Sequence, residues 1–389
     1  MSTETSAVPR ATPLTRRSLA PDLARGVMLL LIALAHAHIY LSVRSAGFRG
    51  YSKDGDTVDR FVAGAQVLLV DGRALPLFAA LFGYGLAHLA QRQTDAGRDW
   101  PQVRKLLRRR SLWLFAFGLC HVLLLFFGDI LGAYGLIGLM FVGFIRRSDR
   151  ALLWAAVVGL VLHVAVLFPL GLVTVTFERT MSPTAMAEPI EALVSRLTVW
   201  SMMTPTYLVV SVLPTFFLGI WAARRRLLDH PGLHRALLTR AATLGVGTAV
   251  AGGLPLTLID TQLWSPSDMI SVTANTVHSL TGVAGGVGYA ALFALLADRT
   301  TGHPGPIAKA LAACGQWSLT CYLLQSVLFV AIFTPYLGGL GTKVGDAAAS
   351  GIAVIVWLAT VLLAASQAPR GRRGPAESLL RRLTYGKAK

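Results

Sequence analysis

Five histidines, an aspartate and a glutamine stand in or beside otherwise apolar runs of this chain, and their side chains are suited to proton transfer. His36 and His38 lie in the first run, His88 in the second, His121 in the third and His163 in the fifth. Gln325 lies in the ninth run, with Tyr322 one turn before it on the same helical face. Asp129 follows Gly128 at a tight turn between the third and fourth runs. Imidazole titrates near neutrality, so it can take or give a proton under mild conditions. An ionisable side chain at bilayer depth is costly and is a functional candidate by default.

Helical rise gives each group a depth. His36 lies about 20 Å past Leu23, and His121 about 12 Å short of Asp129. In a core of about 30 Å, both fall about two thirds of the way across. Gln325 reaches a similar level, while Asp129, Asp71 and Arg73 lie near the same outer boundary. His38 is two residues from His36 and points to nearly the opposite face. Each candidate also has a plainer reading. His38 and His163 suit interhelical hydrogen bonds, Asp129 suits a helix cap, and Arg25, after Pro21 and Asp22, suits an interfacial anchor or an anion site.

The elements that carry these groups follow from composition. The chain of 389 residues is 54% hydrophobic and only 14% charged, where a soluble domain carries about 25% charged residues. Ten apolar segments approach the length of a membrane span: roughly 23–43, 73–92, 109–127, 129–146, 151–173, 206–226, 236–258, 276–297, 307–335 and 344–365. A shorter apolar stretch, 58–70, suits an interfacial or re-entrant helix beside the second span. The expected fold is therefore all-α, a polytopic membrane bundle of about ten transmembrane helices.

Charge sets the expected orientation. Of the 36 Lys and Arg, 28 fall in the N-terminus, the C-terminal tail and alternate loops between them. That asymmetry places both termini in the cytoplasm and the protein in a bacterial-type cytoplasmic membrane. The expected organisation is a cytoplasmic N-terminal tail at 1–20, one transmembrane domain at 21–366 with an extracytoplasmic loop at 174–205, and a basic cytoplasmic tail at 367–389. The tail turns amphipathic at Glu377 to Leu383.

The net charge of +17 matches loops facing anionic lipid, and no nucleic-acid partner is expected. Cys120, Cys314 and Cys321 sit in apolar runs without metal-ligand spacing, so no metal site is expected. Arg16 and Arg17 before an apolar run, with Ala35-His36-Ala37 within it, resemble a secretory leader. The run continues past that point and many spans follow, so it reads as a retained first span.

Several stretches carry a resemblance. Pro21-Asp22-Leu23-Ala24-Arg25-Gly26 resembles the opening of YeiB-like membrane proteins. Leu77 to Leu86, Gly118-Leu119-Cys120-His121 with Gly128-Asp129-Ile130-Leu131, Leu319-Thr320-Cys321-Tyr322-Leu323-Leu324-Gln325-Ser326 and Arg381-Arg382-Leu383-Thr384-Tyr385-Gly386 resemble later segments of that family in order. The family's activity is poorly defined. It is similar to membrane acyltransferases such as heparan-α-glucosaminide N-acetyltransferase, which share the Asp-x-x-Arg-Gly opening and a His eleven residues after the Arg, here His36. Many YeiB-like proteins carry Asn there, so this chain departs from them toward the acyltransferase pattern.

The resemblance implies transfer of an acyl group from cytoplasmic acyl-CoA to an extracytoplasmic hydroxyl or amine of an envelope sugar, glycolipid or natural product. Under that expectation Arg25 and the basic stretch Arg104 to Arg110 hold phosphates. His36 acts as base with His121 and Asp129, and Tyr322 or Gln325 stabilises the oxyanion. Asp71 and Arg73 meet the acceptor. A secondary transporter or exporter with a His/Asp proton relay is the alternative.

Overall fold

In the computed structural model of the chain, residues 19–42, 45–176, 182–205, 209–300 and 303–386 are described. The expected cytoplasmic tail up to Ser18, Glu178 and Arg179 of the long loop, and Lys387 and Lys389 lie outside these residues.

The described residues are helical throughout, apart from connecting turns and one isolated antiparallel bridge between Ala46 and Ser52. The helices are α1 (Leu19–Ala37), α2 (Thr57–Leu69), α3 (Ala74–Asp95), α4 (Trp100–Leu124), α5 (Ile130–Phe141), α6 (Asp149–Thr176) and α7 (Pro189–Met203). They continue with α8 (Val209–Arg224), α9 (Arg235–Asp260), α10 (Asp268–Arg299), α11 (Pro306–Gln316), α12 (Ser318–Phe333), α13 (Asp346–Gln367) and α14 (Pro375–Tyr385).

Every expected span meets a helix, but not every helix has the length and composition of a span. Six helical runs are long and apolar enough to cross a membrane, and the bent pair α11–α12 makes a seventh if taken as one. Helices α2 and α3 count as a single apolar run of 39 residues, joined by the turn at 70–73. Helices α5 and α8 are apolar but short. Helix α4 begins at Trp100, capped by the Asp99 carboxylate accepting from the Gln102 amide at 2.9 Å. The basic stretch Arg104 to Arg110, expected in a loop, is therefore the first half of a helix whose second half is apolar. Lipid contact explains helices that are apolar all round. In α6 only 28% of the most apolar window is buried, and Trp154, Val157, Val158 and Val161 face outward.

The ninth apolar segment is not one straight helix. Helices α11 and α12 meet at Trp317 with a bend of 84°. A helix start leaves its first amides without intrahelical partners, and the C-terminal segment supplies them. Glu377 accepts from the Leu319 amide at 2.7 Å, the Thr320 amide at 3.2 Å and the Thr320 hydroxyl at 2.5 Å. The Trp317 indole donates to the Arg372 carbonyl at 2.9 Å. The amphipathic tail is thus docked as α14, with Leu380 and Thr384 buried. Helix α11 also crosses α1 closely: a side chain at Gly315 would strike the Asp22 carbonyl, and one at Gly26 the Leu311 carbonyl.

Removing the shared acceptor should free this corner. Glu377→Ala is expected to cost about 2 kcal/mol, the range of a hydrogen bond to a charged group. Hydrogen exchange should show residues 375–385 losing protection before the rest of the bundle.

Candidate functional site

The first link of the site is the hairpin of α4 and α5. Gly118 allows it: a side chain there would run into the Gly132 amide and the Asp129 carboxylate. Asp129 stands in extended backbone just before α5, and its Oδ2 accepts from the Gly132 amide at 2.5 Å. Its other oxygen, Oδ1, lies 3.0 Å from Nδ1 of His121 on α4, and both side chains are fully buried. The two sequence readings of Asp129, helix cap and histidine partner, are therefore satisfied together, one by each oxygen. On the far side of the ring, Nε2 of His121 lies 2.9 Å from the Ser326 hydroxyl of α12. The same hydroxyl also donates to the Tyr322 carbonyl at 3.3 Å, and with a proton on Nδ1 beside the carboxylate the ring would present its Nε2 lone pair to Ser326.

Tyr322, one turn before Ser326, brings His36 to the same place. Its ring centroid is 5.0 Å from that of His121 and 6.3 Å from that of His36. The Tyr322 hydroxyl is buried without a hydrogen-bond partner among the described residues. His36 is half-buried on α1 and packs on Phe126 at 4.5 Å between centroids. His36, His121, Asp129 and Tyr322 thus lie near one another, but of the four only Tyr322 lines the cavity described below.

Other candidates lie elsewhere. Gln325 turns to α13, where its amide donates to the Thr360 hydroxyl at 3.3 Å. His38 points away from His36, stacks on Tyr51 and lies 2.9 Å from the Arg49 carbonyl. Arg73 is buried among carbonyls of Val67, Asp71 and Ala249, and its Nη1 lies 2.5 Å from Nε2 of His278. Asp71 is buried beside it. These two form a separate cluster with α9 and α10 and do not meet the histidines of α1 and α4.

A cavity of about 390 Å³ leads from the basic end of the bundle toward Tyr322. Arg25, Arg92 and Arg110 line it, then Leu29, Ile32, Phe78 and Leu114, with Tyr134 and Tyr322 also in its wall. Arg25 lies 3.3 Å from the Asp22 carboxylate. Arg110, on α4, makes no ion pair among the described residues. Glu377, Leu380 and Tyr385 of α14 complete the wall, and a smaller recess beside it gathers Arg110, Arg372, Arg373 and Arg381. Of the basic stretch on α4, Arg110 is the residue that lines the cavity.

Sequence reasoning missed two features. Ser326 stands next to Gln325, and its spacing of four from Tyr322 was the available signal. The role of α14 as a wall was visible only as amphipathic character.

Two predictions follow the geometry. Asp129→Asn keeps an oxygen for the Gly132 amide, whereas Asp129→Ala removes both contacts. The alanine variant should lose about 1–3 kcal/mol in thermal or denaturant unfolding, and the asparagine variant less. At the cavity mouth His88 lies 2.8 Å from Asp229. Burial pushes the Asp229 carboxyl up, but the His88 hydrogen bond and charge and the Tyr84 hydroxyl outweigh it, leaving the group below the usual carboxylate range. Its contribution is present above the ordinary value of about 4 and is lost as pH falls through the lowered one. Asp229→Asn should therefore be less stable than the native chain at neutral pH. The difference should close on strong acidification.

Comparison with known proteins gives likenesses but no activity. Residues 222–387 match the family model described as protein of unknown function DUF418. The chain is 26% identical over 405 residues to the uncharacterized protein YxaH of Bacillus subtilis (strain 168), covering 94% of this chain and 93% of that one. It is 27% identical over 387 residues to the uncharacterized protein YeiB of Escherichia coli (strain K12), covering 95% and 96%. No solved structure matches it. The chain is thus similar to DUF418 over its C-terminal part and to YxaH and YeiB, both uncharacterized proteins, along nearly its whole length.

Proposed function

We propose that this chain is a membrane acyltransferase that moves an acyl group from cytoplasmic acyl-CoA to a hydroxyl or amine on the extracytoplasmic side, on an envelope sugar, glycolipid or natural product. The observation that carries this reading is the meeting of His36 with the His121–Asp129 pair around Tyr322, which itself stands in the wall of a cavity lined by three arginines. The topology that goes with it has about ten spans and both termini in the cytoplasm. Its support is the charge asymmetry of the loops, which puts the mouth of the cavity on the donor's side.

The residues divide the work by position. Arg25, Arg92 and Arg110 meet the donor's phosphates, because guanidinium groups suit phosphate oxygens. The apolar stretch past Leu29 and Ile32 receives the thin thioester arm. The acceptor oxygen attacks the thioester carbonyl carbon, and its proton passes to the imidazole of His36. The carbon–sulfur bond breaks, and the thiolate leaves as the thiol after taking a proton. The unpartnered Tyr322 hydroxyl donates to the oxyanion. Gln325 is the weaker oxyanion donor, because its amide is already engaged by Thr360.

The test is transfer from radiolabelled acetyl-CoA by the purified full-length protein. His36→Ala should lower turnover by about 10²–10⁴-fold, the usual worth of a general base. Arg110→Ala should raise the donor KM about tenfold with a smaller change in kcat. Equal turnover in His36→Ala and the native chain overturns the role of His36. Absence of thioester consumption with any acyl-CoA overturns the reading and favours a transporter with the same groups as a proton relay.

A further inference from the structure

Ser326, His121 and Asp129 stand in line. The Ser326 Oγ is 2.9 Å from Nε2 of His121, and Nδ1 of the same ring is 3.0 Å from Asp129 Oδ1. Asp129 is fixed in turn by the Gly132 amide. The three come from α12, α4 and the turn before α5, so the tertiary fold alone assembles them. This is the order of groups in a nucleophile–base–orienter relay: a hydroxyl, an imidazole beside it, and a carboxylate next to the ring's other nitrogen.

We propose that Ser326 is a covalent nucleophile and that acyl transfer runs through an acyl-Ser326 intermediate. The proposal rests on the acyl-transfer reading and adds a step to it. Two features besides the relay point this way. Ser326 lies one helical turn from Tyr322, on the same face of α12, and Tyr322 is a wall of the cavity. The Tyr322 ring, with its centroid 5.0 Å from that of His121, links the cavity wall to the relay. The chain also carries a second histidine at the same place. His36 has its ring 6.3 Å from that of Tyr322, on the side of α1. One histidine serves each half of a two-step transfer, whereas a single direct transfer leaves the His121–Asp129 pair without a proton to move.

The steps balance. In the first, the Ser326 oxygen bonds to the thioester carbonyl carbon while its proton passes to Nε2 of His121. The carbon–sulfur bond breaks, and the imidazolium returns that proton to the departing thiolate. In the second, the acceptor oxygen or nitrogen bonds to the ester carbon while its proton passes to His36. The bond to Ser326 breaks, and the proton taken by His36 passes to the serine oxygen, which leaves both imidazoles neutral. The net change is thioester plus acceptor to free thiol plus acylated acceptor, with no other reactant.

The experiment uses full-length protein in detergent or nanodiscs, incubated with radiolabelled acetyl-CoA without acceptor, then denatured and digested. The expected result is label on the peptide containing Ser326, released by alkaline hydroxylamine as an oxygen ester is. The His36→Ala protein should keep that label longer when acceptor is added, because only the second half is slowed. Ser326→Ala should show no label and a turnover lower by about 10²-fold or more, with the KM for acetyl-CoA unchanged. Ser326→Cys guards against misfolding: its label should become removable by neutral hydroxylamine, as a thioester is. Turnover of Ser326→Ala within about twofold of the native chain overturns the covalent step and leaves direct acyl transfer standing. Label found on either histidine instead of Ser326 also overturns it. Failure of the native chain to consume any thioester overturns this step together with the reading beneath it.

Discussion

A carboxylate with no exposure to water dictates much of what surrounds it. Burying an isolated ionised group costs many kcal/mol, so such a group survives only if each oxygen finds a donor. Asp129 has two partners of different kinds. Oδ2 accepts from a backbone amide that the start of α5 leaves free, and Oδ1 lies 3.0 Å from the His121 ring. The first contact requires α5 to begin at Ile130. The second requires α4 to pass at a distance that only a glycine at position 118 permits. With Asp129 beside one ring nitrogen of His121, the second nitrogen faces α12 at Ser326. A single electrostatic requirement thus fixes a turn, a helix crossing and the direction of an imidazole.

A second constraint acts on α12 from the other side. The bend at Trp317 exposes the first amides of α12, and these are taken by Glu377 of the chain's last helix. The same helix supplies Leu380 and Tyr385 to the cavity wall. The C-terminal segment therefore sets where α12 starts, and with it the height of Tyr322 and Ser326. Residues 222–387 match one family model, and this segment, α12 and the bend all lie within it. His36, His121 and Asp129 lie outside it. The site is built where the matched part of the chain meets the helices that precede it.

Much of this was legible in the sequence because lipid imposes a simple rule on helices. Runs of apolar residues gave the positions of α1, α3, α6, α9, α10 and α13, and depth along them gave the shared level of His36 and His121. The rule weakens where protein rather than lipid surrounds the backbone. There a helix can break, as at Trp317, because the Glu377 side chain replaces the missing partners. It can also begin outside the apolar region, as α4 does, because Asp99 caps it and Arg104 to Arg110 are content in a solvated turn. Asp71 and Arg73 show the limit of depth as a guide. They lie at the expected level yet join His278 across α9 and α10, since level says nothing about which helices are neighbours. Ser326 was overlooked because a serine in an apolar run carries little signal until its partner is known.

The two ends of the bundle are not alike, and the difference bears on how a transfer across it would proceed. At the basic end, the cavity admits arginine side chains and leads inward. At the opposite end, the segment before and within α7 lies over the helices that carry the histidines. The Thr184 hydroxyl donates to the Ile39 carbonyl at 2.7 Å, just beyond His36. Arg196 donates to the Val122 and Leu123 carbonyls at 3.2 and 3.0 Å, just beyond His121. Carbonyls at the end of a helix favour a nearby cation, so Arg196 is well placed to hold that cover. If the chain transfers an acyl group as proposed, a donor would enter at the basic end and an acceptor would have to pass this cover. A covalent relay needs only one at a time: the acyl group waits on the protein while one end closes and the other opens. The cover over the histidine-bearing helices therefore suits the two-step transfer proposed above.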